Sequence, residues 1–240
     1  MPYAGALTQL RASAPVISVG LLSANLARLG DEVRALEEAG AQVLHVDIMD
    51  GSFCPMMTVG PPVVKAVRTP LLKDVHLMID DPLRHVESFV AAGADMVTFH
   101  IEGVHHPHRV LQAMASMPNA NDPGRGIVRG VAMNPGTPVS AVEALLADLE
   151  YVLVLAVNPG WPGQPFIDSA AAKVVALQEL VRKTGVDVLV GLDGGVTQAN
   201  IHKIAGLGCD IVVAGSAVYA GGKSAENLRA LTAELRGLKT

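Results

Sequence analysis

The chain has 240 residues with 18 Lys and Arg against 23 Asp and Glu, a net charge of −5, and half of its residues are hydrophobic while only 17% are charged. The basic residues are scattered, which excludes a nucleic-acid-binding face, and no apolar run approaches the roughly 20 residues that span a bilayer. The first 19 residues hold one Arg and no long apolar stretch, so no secretory leader is expected, and Cys54 and Cys209 form no spaced framework; both readings favour a reducing, cytoplasmic setting.

Residues 1–15 read as an N-terminal extension before the first apolar run. Eight short β-branched runs follow, near Ile17–Leu22, Val43–Asp47, Asp74–Leu77, Met96–His100, Gly130–Met133, Tyr151–Val157, Val188–Leu192 and Ile211–Ala214. Helical stretches separate and follow them at Leu26–Ala39, Pro62–Val67, Pro82–Ala92, Pro107–Met117, Val139–Leu146, Ser169–Lys183, Gln198–Leu207 and Ala225–Leu238. Pro at 62, 82 and 107 suits a first helical turn. One phrase recurs at 37–47, 90–100, 182–193 and 205–215: a helical segment, a Gly, then a strand run. The Gly fits the position just past a helix, where positive φ is cheap. Eight such alternations in 240 residues, without a linker, predict one domain over 1–240, a closed (β/α)8 (TIM) barrel of parallel strands. Only Pro118–Gly126 (PNANDPGRG) reads as an extended surface loop.

In such a barrel the chemistry lies at the carboxyl ends of the strands. The second run ends in His45-Val46-Asp47, the third contains Asp74-Val75-His76 and the seventh leads into Asp193. Alternation puts His45 and Asp47 on one side of their strand, and Asp74 and His76 on one side of theirs. If that side is the interior, His45, Asp47, His76 and Asp193 converge, a donor set suited to Zn2+, Fe2+, Mn2+ or Co2+. Glycine-rich turns follow the last strands: Asn158-Pro159-Gly160-Trp161-Pro162-Gly163-Gln164, Asp193-Gly194-Gly195 and Gly215-Ser216. Such turns let backbone N–H groups approach a phosphate. A phosphate there would extend a small sugar across the mouth toward the His/Asp cluster.

The segments LLSAN (21–25), HVDIMDGSFCP (45–55), TVGPPVVKAVR (58–68), DVHLM (74–78), NPGTP (134–138), VNPGWPGQPF (157–166), LDGGV (192–196) and VAGSAVY (213–219) together resemble the ribulose-phosphate 3-epimerases, from about Val16 to Tyr219. The resemblance implies that His45, Asp47, His76 and Asp193 hold one divalent metal ion and that Asp47 and Asp193 are the acid/base pair. It further implies that Ser23, His76, Met49 and Met78 face the substrate, and that Gly160, Trp161, Pro162, Gly163, Gly194, Gly195, Gly215 and Ser216 form the substrate and phosphate turns. The implied reaction converts D-ribulose 5-phosphate to D-xylulose 5-phosphate through an enediolate. It belongs to pentose phosphate metabolism, in a homo-oligomer, a dimer or a hexamer, that engages a small sugar phosphate and neither nucleic acid nor membrane. Another phosphoketose such as D-allulose 6-phosphate, or a catalytically silent sugar-phosphate-binding barrel, are the alternatives.

Four features depart from the family pattern. The turn after the sixth strand carries Trp161-Pro162 where the family has Phe-Gly, and Pro162 has no N–H to donate. Leu155 replaces a common Met, Gly191-Leu192 replaces an acidic-hydrophobic pair, and 118–126 reads as an insertion. A phosphate-binding decarboxylase would need a Lys at a strand end, whereas Lys65 and Lys73 precede the third predicted strand. The histidines of HIEGVHHPH, His100, His105, His106 and His108, are expected on a loop and helix start, facing solvent or capping.

Overall fold

The computed structural model of the protein describes residues 5–237. Its frame is a closed barrel of eight parallel strands paired in chain order, with the last returning to the first. The strands are β1 (Val16–Gly20), β2 (Val43–Met49), β3 (Leu72–Met78), β4 (Met96–His100), β5 (Val128–Met133), β6 (Tyr151–Leu155), β7 (Leu189–Asp193) and β8 (Ile211–Ala214). Each lies within a few residues of its expected position.

Helices α1 (Ala6–Ser13), α2 (Leu29–Glu38), α3 (Pro61–Ala66), α4 (Val86–Ala91), α5 (Pro107–Ala115), α6 (Ser169–Thr184), α7 (Ile201–Ala205), α8 (Ser216–Tyr219) and α9 (Ser224–Leu235) complete the chain. The expected Val139–Leu146 helix is a 3-10 turn, Val139–Leu145. The Ala225–Leu238 expectation corresponds to α9, with Leu238 outside the described residues. All four glycines of the recurring phrase, Gly40, Gly93, Gly185 and Gly208, take φ between 69° and 94°, so each helix-to-strand turn uses the same left-handed step.

The strands are buried on both faces, which is why they read as unbroken apolar runs. Alternate residues point outward into one large core with the helices, among them Leu44, Val46, Val75, Val97, Val131, Val152 and Val212. Their neighbours point into the barrel. There Val16, Val43, Leu72, Met96, Val128, Tyr151, Leu189 and Ile211 fill the lower part. The extension before β1 is not merely a tail: α1 buries Ala6 and Leu10 against this interior cluster and covers the amino end of the barrel.

Two further expectations are corrected. Lys73 lies inside β3, with its ammonium donating to the carbonyls of Val64, Val67 and Ala92 far from the strand's carboxyl end, so it serves packing rather than chemistry. The 118–126 segment is anchored as well as exposed. Its Asn119 is fully buried and donates to Asp95 (2.9 Å), while Arg125 lies 3.5 Å from the same carboxylate and 3.3 Å from Gln9 of α1.

Candidate active site

The inward face of β2 presents His45, Asp47 and Met49 in succession, and β3 presents Asp74, His76 and Met78, because period-2 alternation carries every second residue to the same side. The in-register pairs are His45 with Asp74 and Asp47 with His76. Asp193 ends β7, separated from β2 by β8 and β1 on the short side. One ligand atom each from His45, Asp47, His76 and Asp193 lie within 4.8 Å of one another, the convergence expected from the sequence.

Hydrogen bonds fix the orientation of these groups. His45 Nε2 lies 3.1 Å from Asp47 Oδ1, and its Nδ1 lies 2.7 Å from Asp74 Oδ2, which also accepts from the Ser18 hydroxyl at 3.1 Å. His76 Nδ1 lies 3.1 Å from Asp47 Oδ1 and 3.8 Å from Asp193 Oδ2. His45, Asp74 and His76 are fully buried, whereas Asp47 and Asp193 keep side-chain exposures of 20% and 17%, so the carboxylates face the open end.

Burial opposes charge on His45, but Asp74 and Asp47 outweigh it and hold its pKa well above the imidazole range. Burial opposes charge on Asp47 too, yet His45 and then His76 hold that carboxyl far below its usual range. Asp193 goes the other way: burial, followed by the charge of Asp47, pushes it up to about 6. Two carboxyls a few ångströms apart are thus driven apart in proton affinity, the arrangement that lets one hold a proton while the other accepts one.

The donor set fits a divalent metal. One nitrogen or oxygen from each of the four residues lies within 4.8 Å of the others, close enough for one ion to draw on all four. Two imidazole nitrogens and two carboxylate oxygens suit a borderline transition ion better than Mg2+ or Ca2+.

Above the cluster opens a cleft of about 370 Å³. Asp47, Met49, Met78, Leu155 and Asp193 line it, Ser23 borders it, and all three glycine-rich turns rim it. Gly194 and Gly195 have φ of 105° and 66°, and a Cβ on either would lie 2.4 Å from Val157 or 2.7 Å from the Phe166 backbone. Those turns can hold only glycine at these spacings. Gly215 lets Ser23 approach, since a Cβ there would lie 2.7 Å from the Ser23 hydroxyl. Trp161 and Pro162 sit on the rim, Trp161 about half exposed. Gln164 braces that turn by donating to the Asn158 and Trp161 carbonyls (2.5 and 3.0 Å) and accepting from the Asn158 N–H.

One residue was read two ways from the sequence, as the end of the fourth strand and as part of a loop tract. His100 is not a loop histidine: it ends β4, is 1% exposed, and its Nε2 lies 2.9 Å from His76 Nε2. Burial is the larger influence on it and lowers its pKa to about 4. The signal was in the alternation, since Met96, Thr98 and His100 share the inward face. His105, His106 and His108 do lie after the strand, on the loop and the start of α5, with His108 3.6 Å from Asp148.

A sequence model of the ribulose-phosphate 3 epimerase family matches residues 16–219. The chain belongs to that family. It is 43% identical over 225 residues to the chloroplastic ribulose-5-phosphate-3-epimerase of Arabidopsis thaliana, covering 92% of this chain and 77% of the relative. It is 40% identical over 226 residues to ribulose-phosphate 3-epimerase of Bacillus subtilis, covering 93% and 99%. Among solved structures, 3-hexulose-6-phosphate synthase of Salmonella typhimurium superposes with a TM-score of 0.62 at 18% identity, covering 93% of this chain and all of that one. That likeness speaks to the shared barrel alone. No helix among the described residues is long and apolar enough to cross a membrane.

Proposed function

We propose that the protein epimerises C3 of D-ribulose 5-phosphate to give D-xylulose 5-phosphate, with Asp47 and Asp193 as the acid/base pair. The observation that carries this reading is the position of those two carboxylates. They share one four-residue cluster at the cleft floor, yet they rise from β2 and β7, on different sides of the mouth. Inversion next to a carbonyl requires removing a proton on one face and returning one on the other, which a pair so placed can do. In the direction that starts with Asp47 ionised and Asp193 protonated, Asp47 takes the C3 proton and Asp193 delivers its own to the opposite face; the reverse reaction exchanges their roles.

His45, His76, Asp47 and Asp193 would hold the divalent ion, Zn2+, Fe2+, Mn2+ or Co2+ by the donor set. When bound, it supplies Lewis-acid stabilisation of negative charge that develops on substrate oxygen, worth several kcal/mol. Met49, Met78 and Leu155 exclude water around C3 without offering a competing proton. The turns at Gly160 to Gly163, Gly194-Gly195 and Gly215-Ser216 are the phosphate end of the cleft, and Ser23 contacts the sugar between. The chain acts as a single-domain cytoplasmic homo-oligomer, a dimer or a hexamer, on this reading.

Trp161-Pro162 on the rim, where Pro162 has no N–H to donate, keeps a six-carbon substrate, D-allulose 6-phosphate, as a second reading. Steady-state assays on a panel of ketose phosphates decide between them, by which substrate has the higher kcat/KM. Asp47→Asn and Asp193→Asn should each lower turnover at least about 10³-fold, toward the upper range for loss of general acid–base catalysis. Turnover within tenfold of wild type in either variant would remove that residue from the role.

A further inference from the structure

The two histidines of the cluster are supported differently, and the difference identifies residues outside the cleft that set its geometry. His45 meets the Asp74 carboxylate directly. His76 meets no carboxylate through its far nitrogen; it meets a second imidazole, His100, which in turn lies 3.1 Å from Glu102 Oε2 through Nδ1. We infer that His100 and Glu102 are positioning residues that fix the tautomer and aim of His76 toward a bound divalent ion. This inference rests on the proposed reading of the cluster as a metal centre.

Which atoms can donate fixes the direction of the row. His76 Nδ1 is the nitrogen inside the cluster, 3.1 Å from Asp47 Oδ1, so with a divalent ion bound it must offer a lone pair there and the ring proton must sit on Nε2. Two imidazole nitrogens 2.9 Å apart hydrogen-bond only when one carries a proton and the other does not. His100 Nε2 must therefore accept, and the His100 proton must sit on Nδ1, pointing at Glu102. An ionised carboxylate can only accept, so Glu102 polarises the whole row: His76 Nε2–H donates to His100, and His100 Nδ1–H donates to Glu102. The opposite arrangement would set the His100 Nδ1 lone pair against the carboxylate in a site where His100 is 1% exposed.

Glu102 is itself held rigidly. Its Oε1 accepts from the Asn134 N–H at 2.8 Å and from the Thr137 hydroxyl, both on the turn after β5. Lys173 of α6 clamps that turn by donating to the carbonyls of Asn134 and Pro135 at 2.7 and 2.6 Å. The Phe53 ring covers His100 at a centroid distance of 4.7 Å. Orientation of His76 is thereby passed from the β5 turn through β4 to β3, and neither His100 nor Glu102 lines the cleft.

The test uses Zn2+ affinity of the metal-stripped protein, measured by chelator competition at neutral pH, together with the 15N imidazole spectrum of the Zn2+-loaded protein. Wild type should take up one ion per chain, with the His76 proton on Nε2. Glu102→Gln can turn its amide N–H toward His100, so that the row no longer favours the His76 proton on Nε2; its affinity should fall 10–100-fold. His100→Leu should fall by a similar factor. His100→Gln supplies an amide oxygen to accept from His76 and an amide N–H to donate to Glu102, so it should recover affinity to within about threefold of wild type, a rescue that a purely space-filling role would not give. Melting temperatures of the metal-free variants show whether each is folded. Wild-type affinity in both Glu102→Gln and His100→Leu would overturn the inference and leave the metal-centre reading standing. Failure of the wild type to bind any ion would instead overturn that reading, and this inference with it.

Discussion

Gly191 sits on the inward face of β7, two residues before Asp193, and a Cβ built there would lie 2.1 Å from the Tyr151 hydroxyl and 2.6 Å from two ring carbons. Tyr151 is fully buried in the lower barrel interior. A carbon contact needs roughly 3.4–4 Å of separation, so Gly191→Ala forces a shift of over about 1 Å in either the ring or β7. Over-packing in a core costs roughly 1–3 kcal/mol, and the absence of free space around a fully buried ring places this change at about 3. Urea unfolding of Gly191→Ala, Tyr151→Leu and the double variant measures it. The double variant should show a coupling of at least about 1.5 kcal/mol, because Leu vacates the volume that the added methyl needs. Tyr151→Phe should relieve less, since the ring carbons remain. A strand displaced by the methyl also moves Asp193, so turnover should fall with stability in the single variant. If Gly191→Ala costs under 1 kcal/mol, or the cycle is additive within 0.5, Tyr151 does not occupy the space that Gly191 leaves.

Three other outcomes follow from the centre. Asp74→Asn weakens orientation of His45 and should lower Zn2+ affinity 10–100-fold by chelator competition, with wild-type affinity contradicting its role. Glu102 has its carboxyl lowered to about 2: burial is outweighed by hydrogen bonds from His100, Thr137 and Asn134. A depressed carboxylate stabilises the fold above its unfolded pKa and loses that contribution as pH falls. The stability gap between wild type and Glu102→Gln should therefore shrink by about 2 kcal/mol from pH 6 to pH 2.5, after discounting for partial exposure. Asp193 is the opposite case, raised to about 6, so in metal-free protein its ionisation costs stability as pH rises from about 4 through 6. Asp193→Asn should be more stable than wild type by up to about 3 kcal/mol at pH 7.5 and equal to it near pH 4; a destabilised variant at pH 7.5 would contradict the sign.

The barrel was legible because parallel strands buried on both faces are continuous apolar runs, and because a glycine recurs between helix and strand at four of the turns. The four cluster residues were legible by alternation, since His45 with Asp47 and Asp74 with His76 must share a side. The site role of His100 was missed because HIEGVHHPH reads as one tract, although only its first histidine belongs to a strand. The burial of Asn119 was hidden for a related reason: a polar Pro/Gly-rich loop reveals its composition, not the distant Asp95 that draws it inward. α1 gives little sign of itself, as only Ala6 and Leu10 of its eight residues are buried. The Gly191 departure gained its explanation only when Tyr151, 40 positions earlier, was seen to fill the space beside it.

Proton exchange at C3 by two carboxylates must leave its mark in the isotope content of the product. Metal-loaded protein is incubated with D-ribulose 5-phosphate in D2O and both ketose phosphates are followed by NMR. D-xylulose 5-phosphate should form with solvent deuterium at C3, and that incorporation should be lost in both Asp47→Asn and Asp193→Asn. Conversion without deuterium at C3, or no conversion of any ketose phosphate, would contradict that exchange.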